Sequence, residues 1–346
     1  MNPLVSIVVP AYNAQNWIAD SLRSATAQIW NRKEIIVVDD GSTDHTLDIA
    51  RHFQSKCVKI VAQDNRGAAA ARNKALSLSQ GDYIQYLDAD DLLAPDKITR
   101  QIEAIDHSVS RRTLLSGSFG RFMYRYHRAT FIPTALWCDL SPVEWLIRKI
   151  GQDLFSQTAC WLVSRELTDA AGPWNTEITY DDDGEYFSRA LLTSDGVRFV
   201  PQAKVYYRQS GMGSLGYLGN SDSKRTSLWR SMQLHIYYLR SLEDSERVRA
   251  ACLRYLQHWI VWFYPERPDV VKQAVEMARG LGGRLYPPRL SWKYAWIKEI
   301  CGWRIAKCAR LCLPACKGSA IRLLDKTLFH IENAKKLLCH DAEVVQ

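Results

Sequence analysis

The first hundred residues alternate short strand-like segments with helical segments, and this alternation restricts the fold more than any other feature. Strand patterns at 5–9, 34–38, 58–62 and 83–87 are separated by helical patterns. Strand–helix–strand connections of this kind are right-handed crossovers between parallel strands. The sequence therefore predicts an α/β fold with a mostly parallel central sheet and flanking helices.

Polar clusters follow three of these strands. They occupy residues 10–13, 39–42 and 88–91. The carboxyl ends of parallel strands share one edge of the sheet, which is where α/β folds bind ligands. We therefore expect the three clusters to meet in space although they are far apart in sequence.

The third cluster contains Asp88, Asp90 and Asp91 directly after an apolar, aromatic run. Adjacent carboxylates at a buried strand end repel one another and resist desolvation. A divalent cation that carries a phosphorylated ligand would offset this cost, and Mg²⁺ or Mn²⁺ prefers oxygen ligands. The alternative is that Asp91 caps a following helix.

The second cluster, which begins with Asp39 and Asp40, has a glycine at position 41 that permits a tight turn. A carboxylate at such a strand end can accept hydrogen bonds from a base edge or a ribose hydroxyl. The alternative is that Ser42 or Thr43 caps the next helix and the acids are solvated.

The net charge of +8 comes from the C-terminal part. Residues 216–346 contain 22 Lys and Arg against 12 Asp and Glu, and half of the 12 tryptophans. Trp292, Trp296 and Trp303 can lie near one helical side among basic residues, which is typical of contact with an anionic membrane. The alternative is a packed helical bundle with a basic surface. No recognised nucleic-acid module is present, so we expect no nucleic-acid partner.

The start of the chain lacks the features of a signal peptide, and no apolar run approaches the roughly 20 residues that span a bilayer. The nine cysteines include no Cys-x-x-Cys pair, which favours free thiols. We therefore expect a cytoplasmic protein. Two expectations concern secondary structure. Prolines, Pro314 among them, should interrupt the helices that follow residue 226. Residues 197–200 and 205–207 should form separate strands.

Across roughly 4–106 the chain resembles the family 2 glycosyltransferases of GT-A fold, and more loosely to about 210. The motifs that carry the resemblance lie at 5–13, 35–44, 65–67, 71–73 and 81–91. The resemblance implies a GT-A catalytic domain at 1–220, with its boundary between 215 and 225, and a basic, aromatic-rich helical region at 221–346.

The resemblance also implies roles for individual residues. Asp90, with Asp91 as a helper, would hold the metal. Asp183 falls at the position of the catalytic base, beside Asp182. The remaining residues would bind the nucleotide by lining the base pocket or by contacting the base, ribose or donor sugar: Pro10, Ala11, Tyr12, Asp39, Asp40, Arg72 and Asp88.

The chain departs from the family pattern in two places. Residues 181–183 are all aspartate, which leaves Asp182 as the alternative base, and the acids could equally be a solvated helix start. The family often has a metal-binding histidine after a segment like 206–208, but residues 209–214 contain none. Arg208 would then either pair with the diphosphate or serve a structural ion pair.

These observations predict an inverting, metal-dependent glycosyltransferase with Mn²⁺ or Mg²⁺ and a nucleoside-diphosphate sugar, UDP being the expected carrier. The acceptor would be a glycan or lipid-linked glycan in cell-envelope or exported polysaccharide synthesis, met at the inner face of the cytoplasmic membrane. One alternative is an inactive nucleotide-sugar-binding scaffold. The other, a sugar nucleotidyltransferase, would need a glycine-rich basic loop, whereas residues 10–15 contain no Gly, Lys or Arg.

Overall fold

The computed structural model describes residues 2–105, 109–210, 218, 221–288 and 290–344, and the side chains of these except 311–317 and 335–344. The strands are β1 Val5–Ala11, β2 Lys33–Asp40, β3 Val58–Gln63, β4 Tyr83–Tyr86, β5 Leu92–Leu93, β6 Thr113–Phe122, β7 Thr130–Phe131, β8 Leu162–Ser164 and β9 Gly196–Arg208. The helices are α1 Ile18–Thr26, α2 Thr46–Arg51, α3 Ala68–Leu78, α4 Lys97–Glu103, α5 Pro142–Gly151, α6 Arg165–Ala171, α7 Asp182–Leu192, α8 Asp222–Leu242, α9 Glu246–Trp259, α10 Pro268–Gly280 and α11 Trp292–Val344.

The described strands form one mixed sheet in the order β3-β2-β1-β4-β8-β6-β9-β5, with β7 paired to β6. The β3, β2, β1 and β4 strands are parallel to one another. Beyond β4 the pairings β4–β8, β6–β8 and β5–β9 are antiparallel. The predicted α/β fold is confirmed, and its parallel part is the half that contains the three polar clusters.

The central strands are buried on both faces, which explains why they read as continuous apolar runs. Val8, Ile36 and Val38 belong to one core, whose helices include α3, whereas Ile7 and Val37 belong to the other. All seven residues of β1 are buried. Full burial of each such Val or Ile side chain stabilises the fold by about 1.5–3 kcal/mol, so the strand ends are held on a rigid platform.

The chain falls into two compact units. One comprises Met1–Gly120, Phe131–Tyr207 and Leu218–Tyr286, and the other comprises Arg121–Thr130, Arg208–Tyr217 and Pro287–Gln346. In the first unit, α8 packs on α7 and α9 packs on α5. The functional division into 1–220 and 221–346 stays a prediction.

In the second unit, α11 is tied to the segment after β6. Asp325 accepts hydrogen bonds from the backbone N of Tyr124 at 2.9 Å and from Nε of Arg125 at 2.7 Å. Arg125 also donates from Nη1 to Glu332 at 2.8 Å. These charge-assisted hydrogen bonds hold one face of α11 against residues 124–125.

Two expectations about secondary structure were wrong. The segments 197–200 and 205–207 form one strand, β9, that runs through Pro201. The backbone of α11 continues through Pro314 and breaks instead at Gly302, whose φ of 81° is accessible to glycine but costly for other residues. In the described part of the chain, none of the helices combines the length and the apolar character needed to cross a membrane.

Candidate active site

The ends of β1 and β2 are joined by a short hydrogen-bonded network. Ala11 and Asp39 are register partners in the parallel ladder. Just beyond them, the backbone N of Asn13 donates to Oγ of Ser42 at 3.0 Å, and the side chain of Asn13 accepts from the backbone N of Thr43 at 2.9 Å. The first two polar clusters are therefore neighbours.

Asp39 and Asp40 have different surroundings, because successive side chains of a strand point to opposite faces. Asp40 accepts from the amide of Gln63 at 2.7 Å and from the backbone N atoms of Arg66 and Gly67 at 2.9 and 2.8 Å. These bonds hold the loop that leads into α3. Both carboxylate oxygens of Asp40 are thus engaged in hydrogen bonds within the protein.

Asp39 keeps one acceptor available. Its Oδ2 accepts from the backbone N of Ser42 at 3.1 Å. Oδ1 is buried, and within the described residues no donor reaches it. A buried carboxylate oxygen without a partner costs roughly 1–3 kcal/mol, which a ligand donor at this position would recover.

Pro10, Ala11 and Tyr12 lie where β1 ends. Pro10 and Ala11 are buried, and Ala11 leaves little side-chain bulk beside Asp39. Tyr12 is 50% exposed, which is unusual for a large aromatic residue at the end of a buried strand. Its ring is therefore available to a planar ligand beside the strand end.

Arg72 connects the third polar cluster to α7. From its buried position on α3 it donates from Nη2 to Oδ1 of Asp88 at 2.8 Å and from Nη1 to Oδ2 of Asp182 at 2.6 Å. Burial raises the pKa of the Asp182 carboxyl, and the charge of Arg72 opposes that rise. The guanidinium thus holds together two carboxylates that would otherwise repel each other.

Arg72 is supported by residues that had no predicted role. The ring of Trp174 lies 4.4 Å from the Arg72 guanidinium carbon and stacks on Tyr186 at 4.1 Å. Asn73 bonds both the carbonyl and the backbone N of Trp174, at 2.9 and 2.8 Å. Asn73 lies inside the motif at 71–73, so its position was a usable signal, whereas Trp174 lies outside the motifs named above.

Asp183 lies in the first turn of α7, partly exposed. Its Oδ2 accepts from the hydroxyl of Thr158 at 3.2 Å and its Oδ1 from the backbone N of Gly184 at 2.9 Å. Burial first, and then the charge of Asp181, raise the pKa of Asp183, while Lys149 and Arg72 lower it. A partly accessible carboxylate with a raised pKa has the character of a general base.

Asp91 and Asp90 differ in accessibility. Asp91 is fully buried, and its carboxylate accepts from the side-chain amide of Gln157. Asp90 is only partly buried. Among the residues that the structure describes, no three His, Cys, Asp or Glu side chains are grouped to enclose a metal. This donor set fits a Mg²⁺ or Mn²⁺ that takes one or two carboxylates and completes its shell with phosphates and water.

Tyr207, which the sequence did not indicate, lies within electrostatic range of the acids of the third cluster and of α7. Burial raises the pKa of the Tyr207 hydroxyl, and the charges of four aspartates raise it further: Asp91, Asp90, Asp183 and Asp88. Its ring packs against Phe155 at 5.2 Å. The charges of both groups of acids therefore act on the Tyr207 hydroxyl.

Arg208 is buried and donates to the carbonyl of Met123 at 3.2 Å, with its guanidinium 4.5 Å from the Phe122 ring. These contacts favour a structural role over pairing with a diphosphate. The family's metal-binding histidine would fall within 209–214, and residues 211–214 lie outside the described residues.

Solved structures resemble this fold. Residues 1–349 of *Staphylococcus aureus* TarS in complex with UDP-GlcNAc match with a TM-score of 0.64 at 19% identity, over 80% of this chain and 81% of that one. The mannosyltransferase PcManGT of *Pyrobaculum calidifontis*, in complex with GDP-Man and Mn²⁺, matches with a TM-score of 0.52 at 17% identity, over 96% and 88%. These likenesses bear on the fold alone.

Sequence relatives carry the assignment further. Relatives from *Bacillus subtilis* and *Haemophilus influenzae* are 42% identical over 104 and 103 residues, 29% of this chain, and the chain spans 41% of their length. *Escherichia coli* WfaP, a UDP-Glc:alpha-D-GlcNAc-diphosphoundecaprenol beta-1,3-glucosyltransferase, is 32% identical over 59% of this chain and 77% of its own length. The model of the family "Glycosyl transferase family 2" matches residues 6–166. The chain belongs to glycosyltransferase family 2.

Proposed function

We propose that this protein is an inverting, metal-dependent glycosyltransferase that moves a sugar from a nucleoside diphosphate, UDP being the carrier, to a glycan or lipid-linked glycan. The observation that supports this most strongly is the pairing of Arg72 with both Asp88 and Asp182. It joins the acidic strand end to the helix that presents Asp183. A nucleotide site and a base then lie side by side.

The nucleotide would bind at the strand ends. Oδ1 of Asp39 would accept a hydrogen bond from the base, because it is the buried oxygen without a partner among the described residues. Tyr12 would stack on the base. Asp40 would act through the loop that it holds, and Asp88 would contact the ribose or donor sugar. TarS, which has the same fold, is described as a complex with UDP-GlcNAc.

The residue that would hold the metal is Asp90, with Asp91 behind it. When bound, the cation supplies positive charge that neutralises the departing diphosphate. The expectation of Mn²⁺ or Mg²⁺ rests on oxygen donors, and PcManGT, of the same fold, is described with Mn²⁺.

Asp183 would take the proton of the acceptor hydroxyl as the oxygen attacks the anomeric carbon. The bond between that carbon and the diphosphate oxygen breaks, and the nucleoside diphosphate leaves with the electron pair. Attack opposite the leaving group inverts the anomeric centre. Asp182 is committed to Arg72, which favours Asp183 as the base.

The name of one relative supports a proposal for the acceptor class. WfaP is named for transfer to a diphosphoundecaprenol-linked sugar, and it aligns with most of its length. We therefore propose a lipid-linked glycan acceptor in cell-envelope or exported polysaccharide synthesis. Such an acceptor would be met at the inner face of the cytoplasmic membrane.

The experiment measures UDP release from UDP-sugars with Mn²⁺ and a membrane glycan extract. The wild type should release UDP only when the acceptor is present, and Asp183→Asn should lose at least about 99% of this rate while keeping donor affinity. Asp169→Asn, an exposed acid on α6, is the matched control and should remain active. A chain that binds UDP-sugars but transfers to no acceptor would instead be the inactive scaffold.

Membrane attachment is proposed for the first part of α11. Trp292, Trp296 and Ile300 recur every four residues and are 81, 60 and 74% exposed. Residues 291–310 contain five Lys or Arg against one Asp or Glu. An apolar face with basic flanks matches the interface of an anionic bilayer.

Co-sedimentation tests this attachment with vesicles that contain phosphatidylglycerol. The double variant Trp292→Ser, Trp296→Ser should bind about tenfold less than the wild type, because two interfacial anchors are lost. Ile132→Ser, which removes an exposed apolar residue outside α11, is the control. Equal sedimentation of the wild type and the double variant would contradict membrane attachment through α11.

A further inference from the structure

Asp181, the residue two positions before the proposed base, has an unusual conformation. Its φ is 64° and its ψ is 34°, in the left-handed region that non-glycine residues rarely adopt. Aspartate tolerates this region better than most residues, because its short side chain bonds locally. Here the carboxylate Oδ2 accepts from the hydroxyl of Ser231, on α8, at 2.6 Å.

A second serine of α8 holds the two residues before Asp181. Oγ of Ser227 accepts from the backbone N atoms of Thr179 and Tyr180, both at 2.9 Å, and donates to the carbonyl of Tyr180 at 3.2 Å. One donor and two acceptors are the full capacity of a hydroxyl. Ser227 and Ser231 are buried and one helical turn apart, so together they fix three consecutive residues, 179–181.

His235, one turn further along α8, continues this row. Its Nδ1 lies 3.0 Å from the hydroxyl of Tyr255 on α9, and its Nε2 lies 3.4 Å from Oγ of Ser231. Burial, and then the charge of Lys149, lower the pKa of His235 to about 3, so the ring is neutral. A neutral ring that accepts from Tyr255 can donate from Nε2 to Ser231, which orients the serine proton toward Asp181.

The carboxylate of Asp181 also touches the start of α7. A Cβ added at Gly184 would lie 2.1 Å from Oδ1 of Asp181 and 2.7 Å from its Cγ. The position needs a glycine because the carboxylate is packed against it. The next acid, Asp182, is held by Arg72. Residues 182 and 184, on either side of Asp183, are therefore both held by contacts.

We propose that Ser227 and Ser231 of α8 are positioning residues for the Asp183 base, with His235 orienting Ser231. This inference rests on the proposed role of Asp183. The hydroxyls hold the turn at 179–181 in the one conformation from which Asp183 reaches the acceptor. A region without resemblance to the family motifs thus completes the reaction geometry.

The charged and titratable groups around Asp183 come from several elements. Asp181 and Asp88 raise its pKa beyond the effect of burial, whereas Lys149 on α5 and Arg72 on α3 lower it. Asp182, Tyr180 and Tyr207 also interact with the Asp183 charge, and the turn at Asp181 also faces His235, Glu185 and Tyr255. Removal of the Asp181 charge should therefore lower the pKa of Asp183 and move the acid limb of the kcat profile to lower pH.

The experiment compares Ser231→Ala, Ser227→Ala and Asp181→Asn with the wild type. A small displacement of a base costs about tenfold to a hundredfold in rate, so the two serine variants should lose that much kcat with an unchanged donor KM. Asp181→Asn keeps an oxygen acceptor for Ser231 and a residue that tolerates the left-handed region. It should keep most of its kcat and shift the acid limb downward.

The matched control is Ser241→Ala, because Ser241 is an exposed serine of the same helix that bonds its own helix at Tyr238. Wild-type kcat in both serine variants, with Asp183→Asn inactive, would overturn the positioning role alone. Activity in Asp183→Asn would instead overturn the proposed base. Should one serine variant fail to fold, the other carries the test, and wild-type kcat in it would overturn the inference.

Discussion

Nη1 of Arg72 lies 2.6 Å from Oδ2 of Asp182, although the two residues are 110 positions apart in the chain. The contact joins the helix after β3 to the acidic start of α7. Since Arg72 also binds Asp88, a single buried cation sets the distance between the strand-end acids and the proposed base.

Arg72→Lys tests this bridge. Lysine keeps the charge but lacks the planar fork that reaches two carboxylates at once. We expect the transfer rate to fall at least about tenfold and the free energy of unfolding to fall by about 1–3 kcal/mol, because one buried acid loses its partner. Urea denaturation and UDP release measure the two effects.

Arg100→Lys is the control for Arg72→Lys, because Arg100 pairs with Asp96 on the exposed side of α4. Surface pairs contribute little to stability. If the Arg72 variant were as active and as stable as the Arg100 variant, the pairing of Arg72 with Asp88 and Asp182 would contribute neither to activity nor to stability.

Asp39→Ala and Asp40→Ala should impair different properties, UDP binding in the first variant and stability in the second. Asp39→Ala should weaken UDP binding about tenfold, which is about 1.4 kcal/mol, and change stability little. Asp40→Ala should lower the free energy of unfolding by about 1–3 kcal/mol, because the N–H groups of Arg66 and Gly67 lose their acceptor. Calorimetric titration and denaturation together separate the variants, and the reverse assignment would contradict the site.

Lys97 predicts a pH dependence of stability. Burial lowers the pKa of this lysine to about 7, from 10.5. The unfolded chain therefore binds more protons between these values, so native stability rises with pH there and is flat below pH 7. Relative to Lys97→Met, the wild type should gain up to about 1.4 kcal/mol per pH unit above 7.

Urea denaturation at pH 6, 7, 8 and 9 measures this difference. Lys59→Met removes an exposed lysine and serves as the control. A stability difference between wild type and Lys97→Met that stays constant from pH 7 to 9 would show that the native state does not lower the pKa of Lys97.

The sequence predicted the parallel half of the fold well, because strand and helix patterns there are local. The strands predicted at 5–9, 34–38, 58–62 and 83–87 correspond to β1, β2, β3 and β4, with ends that agree within two residues. The strand-end clusters were also placed together, because parallel topology fixes which ends share an edge. Strand alternation indicates that Asp39 and Asp40 point to opposite faces, but which face receives a ligand depends on the packing of α3.

The contribution of α8 could not be predicted. Ser227 and Ser231 sit 47 to 50 positions after the residues that they bond, and no pattern links a buried serine to a distant turn. The continuity of β9 through Pro201 likewise depends on its neighbours in the sheet. Such contacts are properties of tertiary packing rather than of local sequence.

The most direct test of the account is a calorimetric titration of UDP, with and without Mn²⁺, into the wild type and Asp90→Ala. We expect Mn²⁺ to tighten UDP binding at least about tenfold, or 1.4 kcal/mol, in the wild type and to have no such effect in Asp90→Ala. Equal Mn²⁺ enhancement in both proteins, or no UDP binding to the wild type, would contradict it.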